Sequence, residues 1–461
     1  MSTAPVLLFG NRPGGHVQLA MLVCFALMGI YWVRFAQIGA FSIEANHVGI
    51  LLLVGATCAS MYGAPAAMRV LAWCAPWLLA YVTYLVLLLA AVSGTPGLSI
   101  WFQQILFVTG FVCVACYFFR ASNPEASLRR GGLWGIFLFI AVTEYSARQI
   151  DKSLITATTD FLASGNFQAL IFNFFRPVFN SLEHGTELVF RASLTNSIAV
   201  SLLVLSICYR AGFRKRGIDF YGTSAFLLTL FLCILLNSRS VVLAGVASLG
   251  LALLIRMAIA RAVSLTALLW CCVLTIGLSI LALVAAIHGA SFLEAVLKAF
   301  QFSDNSTESR LFQYWWALDL IEQRLLFGHG YVETDNGHPI HNLFLSAWAY
   351  TGYAGFGLIV TFYVCLLYAW TRWLYLALTI PGFWVLQARL EWVAVLPVLP
   401  LFRVWVSGGG GHVAFGEWIA LGVFFGLLMQ NEMIKRQTTG PRDLNRGQTR
   451  LAQWRLLKEF S

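Results

Sequence analysis

Residues 342–371 read NLFLSAWAYTGYAGFGLIVTFYVCLLYAWT, without a single charged side chain. About 20 apolar residues in a helix cross the hydrocarbon core of a bilayer, so this stretch can span one by itself. Working outward, similar apolar runs occupy approximately residues 17–35, 47–63, 70–92, 104–120, 131–147, 194–212, 219–236, 240–256, 263–289, 388–406 and 414–430. The pattern predicts an all-α, polytopic integral membrane protein with about twelve transmembrane helices. Composition agrees, because 59% of the 461 residues are hydrophobic and only 11% are charged. An average soluble domain carries about 25% charged residues. So few charges cannot cover a water-exposed surface, which excludes an ordinary soluble fold. The first run lacks a small-residue cleavage site and reads as a retained helix rather than a signal peptide.

The net charge of +10 would fit a nucleic-acid partner if the basic residues formed one face. Instead they sit in short loops between apolar runs and in the final segment, which is the signature of membrane topology. Placing Arg120, Arg129, Arg130, the cluster Arg210, Arg214, Lys215 and Arg216, then Arg256, Arg261, Arg372 and Arg389 on the cytoplasmic side puts both termini there. The expected organisation is one membrane domain over 1–461, with two longer outside loops at 148–193 and 290–341 and a basic cytoplasmic tail at 431–461. Loops of that length on a tight membrane protein are usually functional.

All ten cysteines lie inside apolar runs, so they read as small packing side chains rather than a disulfide framework. Cys113 and Cys116 match a CxxC spacing, but their setting, FVCVACYFF, is a membrane helix with no strand beside it. A redox role does not fit that setting.

The most informative region is 301–357, QFSDNSTESRLFQYWWALDLIEQRLLFGHGYVETDNGHPIHNLFLSAWAYTGYAGFG. Arg310 is expected to open an amphipathic helix with Leu311, Tyr314, Trp315 and Leu318 on one face. Phe327-Gly328-His329-Gly330 then breaks it, and His341-Asn342 begins the next apolar run. The positive end of a helix dipole disfavours imidazolium. A histidine there stays neutral near pH 7 and can accept a proton, as a general base must.

Two more arginines stand at outer junctions of apolar runs, Arg239 in LLNSRSVVLAG and Arg403 in LPLFRVWVSGGGGH. The plain reading of each is an interfacial anchor, because an arginine at the bilayer centre costs at least about 2.5–3.5 kcal/mol while one at the interface can snorkel. Convergence favours function. Arg239, Arg310, Arg403 and His341 are expected on one face of a chain with few charges, and guanidinium groups bind phosphate oxygens bidentately. A lipid-linked pyrophosphate is the anion that fits that face.

The remaining polar candidates read as structural. Asp304, Glu308, Glu333 and Asp335 are scattered through the loop as solvated charges rather than a metal site. His338 precedes His341 by three, but Pro339 spoils a shared helical face for a zinc pair. His412 follows Gly408 to Gly411, a plain turn. His329 lies in the break itself. No cofactor is expected.

These features resemble the O-antigen ligase and O-antigen polymerase superfamily of bacterial envelope glycosyltransferases. The resemblance rests on His341-Asn342, nine residues, Gly352, two residues and Gly355, on the preceding SRLFQYWWALDLI…LFGHG segment, and on SRSVVLAG around Arg239. They cover about a quarter of the chain. The resemblance implies a GT-C-like architecture and a metal-independent, inverting transfer. The donor would be an undecaprenyl-pyrophosphate-linked glycan, and the transfer would occur on the periplasmic face of the bacterial inner membrane, which makes the loops at 148–193 and 290–341 periplasmic. It implies His341 as the base that activates the acceptor hydroxyl, and Arg239 and Arg310 as pyrophosphate ligands. Arg403 joins them by placement alone, and Asn342 has no assigned role.

A polymerase would use a lipid-linked repeat unit as acceptor, with a chain-length regulator as a further partner. A ligase would use lipid A core. The long stretch after the histidine motif, with its arginine-glycine loop and Glu417 in an apolar run, looks more like capsule and exopolysaccharide polymerases. Polymerase is therefore the first reading and O-antigen ligase the second. A lipid flippase or polysaccharide transporter is the alternative from another class. It would place charges deep in mid-membrane, whereas here they gather at one interface.

Overall fold

A computed structural model describes residues 13–38, 41–61, 65–91, 95–121, 123–164, 192–213, 220–236, 238–259, 305–330, 340, 342–379, 390–401 and 413–438, with Phe174 and Val178. They are mostly helical, running α1 (Gly15–Met28), α2 (Ala45–Met61), α3 (Pro65–Ala91), α4 (Thr95–Arg120), α5 (Pro124–Arg148) and α6 (Leu154–Ser164). There follow α7 (Ala192–Ala211), α8 (Phe220–Leu235), α9 (Arg239–Ile259), α10 (Asn305–Gln323), α11 (Leu343–Thr379), α12 (Leu390–Ala394) and α13 (Phe415–Thr438). Among the described residues, 3 helices are long and apolar enough to cross a membrane, over Trp101–Arg120, Ser240–Ala258 and Leu343–Tyr375, and several shorter apolar helices accompany them. The expected run at 263–289 lies outside the described residues.

One departure from an all-helical chain stands at the start. The run expected over 17–35 stops being helical at Met28. The chain then turns into an antiparallel hairpin of β1 (Arg34–Ile38) and β2 (Phe41–Glu44), with Ile38 opposite Phe41. The turn begins at Gly29, whose backbone packs directly on that of Gly135 in α5, a contact that leaves no room for a side chain.

The core is organised around α7 and α13. Positions 198–211 of α7 and 415–432 of α13 are buried all round, as expected of helices that are apolar on every face. Close approach there depends on small residues. A Cβ at Gly422 would come within 2.8 Å of the Val114 side chain, and one at Gly426 within 2.5 Å of the Ala115 carbonyl, so α13 packs tightly against α4.

Packed pairs fix the directions of the helices. Phe362 meets Trp418 at 6.0 Å between ring centroids. Further along both helices, the Arg372 guanidinium grips the Glu432 carboxylate with two donors, one of them Nη2 to Oε2 at 2.9 Å. The part of α11 after Gly352 and helix α13 therefore run parallel. Gln430 Nε2 donates to the Ala121 carbonyl at 2.8 Å, which brings the end of α4 and its Arg120 to the end where Arg372 lies. Trp370 Nε1 donates to the Ala394 carbonyl at 2.7 Å, and Arg210 lies over the Trp392 ring at 5.6 Å. Arg120, Arg210 and Arg372 thus gather at one end of the bundle, as the expected loop charges require.

The opposite end collects helix starts. Cys233, near the end of α8, donates its thiol to the Ala199 carbonyl at 3.5 Å. A Cβ at Gly416 would stand 3.1 Å from Ser201 Cα. The early part of α7 is thereby beside both the α8–α9 junction and the first turn of α13. Phe344, in the first turn of α11, lies 5.4 Å from Tyr363 between ring centroids, so the chain doubles back at Gly352 and the start of α11 lies level with Trp418; the starts of α9, α11 and α13 share that end.

Helix α10 corrects the expectation at its start. It begins at Asn305, so Arg310 lies in its second turn rather than opening it. Its buried stripe runs through Gln313, Ala317 and Ile321, while Trp315 is 65% and Leu318 39% exposed. Where one of the surrounding solvents is itself apolar, apolarity alone does not select the side that packs on protein.

Candidate functional site

The site is built where the turn after α10 docks on a break in α11. Gly352 has φ 68° and ψ −162°, a conformation open essentially to glycine, and it interrupts the helix. In an unbroken helix the Tyr353 N–H would donate to the Ala349 carbonyl. Here it donates instead to the Leu325 carbonyl at 3.1 Å, and the Ala349 carbonyl receives the His329 N–H at 2.8 Å. The Gly330 N–H donates to the Tyr350 carbonyl at 2.9 Å. The turn thus takes over the backbone groups that the kink sets free.

This insertion brings two backbones together. A Cβ on Gly352 would overlap the Leu326 carbonyl, and one on Gly328, at φ 65°, would stand 2.5 Å from the Tyr350 carbonyl carbon. Gly352 and Gly328 are therefore the two faces of one joint. Gly355 has a different part. A Cβ there would overlap the hydroxyl of Thr351, which donates to the Ala347 carbonyl at 2.7 Å just before the break.

His329 fastens the same turn to α10. Its Nε2 lies 2.8 Å from the Leu320 carbonyl. A carbonyl only accepts, so Nε2 carries the proton. The Leu320 carbonyl is among the last four of α10, a position where helices need partners from outside.

Asn342 is the N-cap of α11. Its Oδ1 accepts from the Phe344 N–H at 3.0 Å and the Leu345 N–H at 3.1 Å, satisfying two donors that a helix start leaves open. That gives the second residue of the histidine motif a role. It also moves His341 one position before the cap rather than onto the helix. His341 itself lies outside the described residues, but both chain neighbours are held. Ile340 is fully buried, and its N–H donates to the Tyr350 hydroxyl at 3.5 Å.

The arginines are placed by their backbones. Arg239 is the first residue of α9, whose opening turn is closed by Val241 and Val242 N–H groups donating to the Ser238 carbonyl at 3.1 and 3.0 Å. Arg310 rides on α10, whose far end is tied to α11 through the turn. Arg403 lies outside the described residues. The segment that carries it leads into α13, where Glu417 Oε2 accepts from the Ala414 N–H at 2.7 Å and so caps that helix. Glu417 is thus a buried capping carboxylate at the end that the starts of α9 and α11 share.

Sequence reasoning missed Tyr350 and the joint between Gly328 and Gly352. The usable signal was the pair of glycines around His329, since glycines two apart after a helix mark backbone that other residues adopt at a cost.

No curated protein matches the chain. Residues 224–360, which run from α8 through the joint and into α11, match the Wzy_C family model described as O-antigen ligase, so this part of the chain is similar to that family.

Proposed function

We propose that the protein is a membrane glycosyltransferase of the periplasmic face, moving a glycan from undecaprenyl pyrophosphate to an acceptor sugar hydroxyl. The observation that carries this reading is the joint at Gly352. It ties the helix bearing Arg310 to the helix that His341-Asn342 opens, at the end where Arg239 starts α9.

In this reading about twelve spans place that end outside, with 148–193 and 290–341 periplasmic and both termini cytoplasmic. Neutral His341 accepts the proton of the acceptor hydroxyl as its oxygen attacks the anomeric carbon. The bond from that carbon to the pyrophosphate oxygen breaks, and undecaprenyl pyrophosphate leaves with its negative charge held by Arg239, Arg310 and Arg403. The first turn of α9 adds the positive end of a helix dipole near Arg239. Attack opposite the leaving group inverts the anomeric centre. His341 then gives its proton to water.

The first reading of the acceptor is a second lipid-linked repeat unit, which makes the protein an O-antigen or exopolysaccharide polymerase. The second is lipid A core, favoured by the description of the matching family as O-antigen ligase. The test supplies purified protein with a lipid-linked glycan donor and either acceptor, without an energy source. Longer lipid-linked chains support polymerase, glycan on lipid A core supports ligase, and no transfer to either acceptor removes the reading.

A further inference from the structure

Resting on the role proposed for His341, we infer that Tyr350 is the positioning residue that holds this base in register. Tyr350 is itself buried, at 1% exposure, and it touches the chain on both sides of segment 331–339. Its carbonyl receives the Gly330 N–H at 2.9 Å, and its hydroxyl receives the Ile340 N–H at 3.5 Å. One side chain and its own backbone therefore fasten both ends of the segment between the glycine turn and the histidine.

The hydroxyl contact is the sensitive one. Ile340 is fully buried, and a buried backbone N–H needs an acceptor. The phenol supplies it one residue before His341, while the Asn342 cap fixes the chain one residue after. Rotation of Ile340 away from Tyr350 would shift the backbone of His341 without disturbing α11, whose start is set by Asn342. Tyr350 is held in turn by the kink, since the joint with Gly328 and Gly330 occupies its carbonyl. The glycine motif and the histidine are thus coupled through one tyrosine: the break at Gly352 presents Tyr350 to the turn on one side and to Ile340 on the other.

Tyr350→Phe tests this, because it keeps the buried ring and removes the hydroxyl. Misplacing a catalytic group by about 1 Å can cost about 10²-fold, so turnover per folded molecule should fall about 10- to 100-fold while the KM for donor stays near wild type. A fluorinated tyrosine at 350, with a weaker acceptor oxygen, should fall between. Tyr81→Phe removes another buried hydroxyl, which donates to Gln104 at 2.7 Å away from this segment, and should leave turnover per folded molecule unchanged. Unchanged turnover in Tyr350→Phe, alongside an inactive His341→Ala, overturns the inference and leaves the base role standing. An active His341→Ala overturns the underlying reading instead. If Tyr350→Phe does not fold, the fluorinated protein decides, and wild-type turnover there overturns the inference.

Discussion

The backbone of Gly352 lies against the carbonyl of Leu326 so closely that no side chain fits between them. That contact joins α10, with Arg310, to α11, with the histidine motif at its start. Both the positive φ of Gly352 and the overlap oppose any substitution. Gly352→Ala should cost about 1–3 kcal/mol for the backbone conformation alone, and the overlap should separate the turn from α11. Activity should fall to background even in protein that remains folded by thermal unfolding. A Cβ at Gly355 meets the Thr351 hydroxyl and Cβ and stands 3.2 Å from the Ala347 carbonyl, all within α11, so Gly355→Ala should cost stability but leave the turn docked and retain measurable transfer. Equal loss in both variants would mean that the motif glycines serve helix packing in general rather than this joint.

Asn342 is expected to act as a cap and not as a reacting group. Asn342→Ala should lose about 0.5–2 kcal/mol of stability, read as a lower melting temperature. Asn342→Asp and Asn342→Ser, which keep an acceptor for the Phe344 and Leu345 N–H groups, should recover both stability and transfer. A stable but inactive Asn342→Asp would show that the amide has a chemical role.

Arg310 is expected to need its guanidinium shape as well as its charge. Arg310→Lys should lose most activity, since an ammonium cannot make the two parallel bonds to phosphate oxygens. Arg324→Lys, exposed just after α10, should be nearly neutral. Similar effects at the two positions would reduce Arg310 to a general positive charge.

The gathering of Arg120, Arg210 and Arg372 at one end of the bundle fits a cytoplasmic end under the positive-inside rule. Cysteines placed at Ser181 and Asn336 should then label from outside in cells with a permeabilised outer membrane. Absence of labelling at both would reverse the orientation and remove the periplasmic site.

The helical nature of the chain was legible because runs such as 342–371 carry no charge, and bilayer thickness leaves little choice for such runs. The hairpin at Arg34–Glu44 was not, since Val33, Phe35 and Ala36 extend the apolar run past the point where the helix ends at Met28. The packed face of α10 was not legible either, because Trp315 is large and apolar, yet the stripe through Gln313, Ala317 and Ile321 is the one that packs. At the site, the spacing from His341-Asn342 to Gly352 and Gly355 was visible as a pattern. Its mechanics were not, because they depend on Tyr353 exchanging its helical acceptor for Leu325, a residue 28 positions earlier in the chain. No local pattern records that exchange.

The central claim is that His341 removes the acceptor proton, and the direct measurement is the transfer rate of purified His341→Ala and His341→Gln with donor binding measured in parallel. A positioned base contributes about 10²–10⁴-fold, so both variants should lose turnover by about that factor while binding donor as the wild type does. A His341→Gln protein that transfers at near wild-type rates would contradict the account, because glutamine can hydrogen-bond the acceptor hydroxyl but cannot carry its proton away.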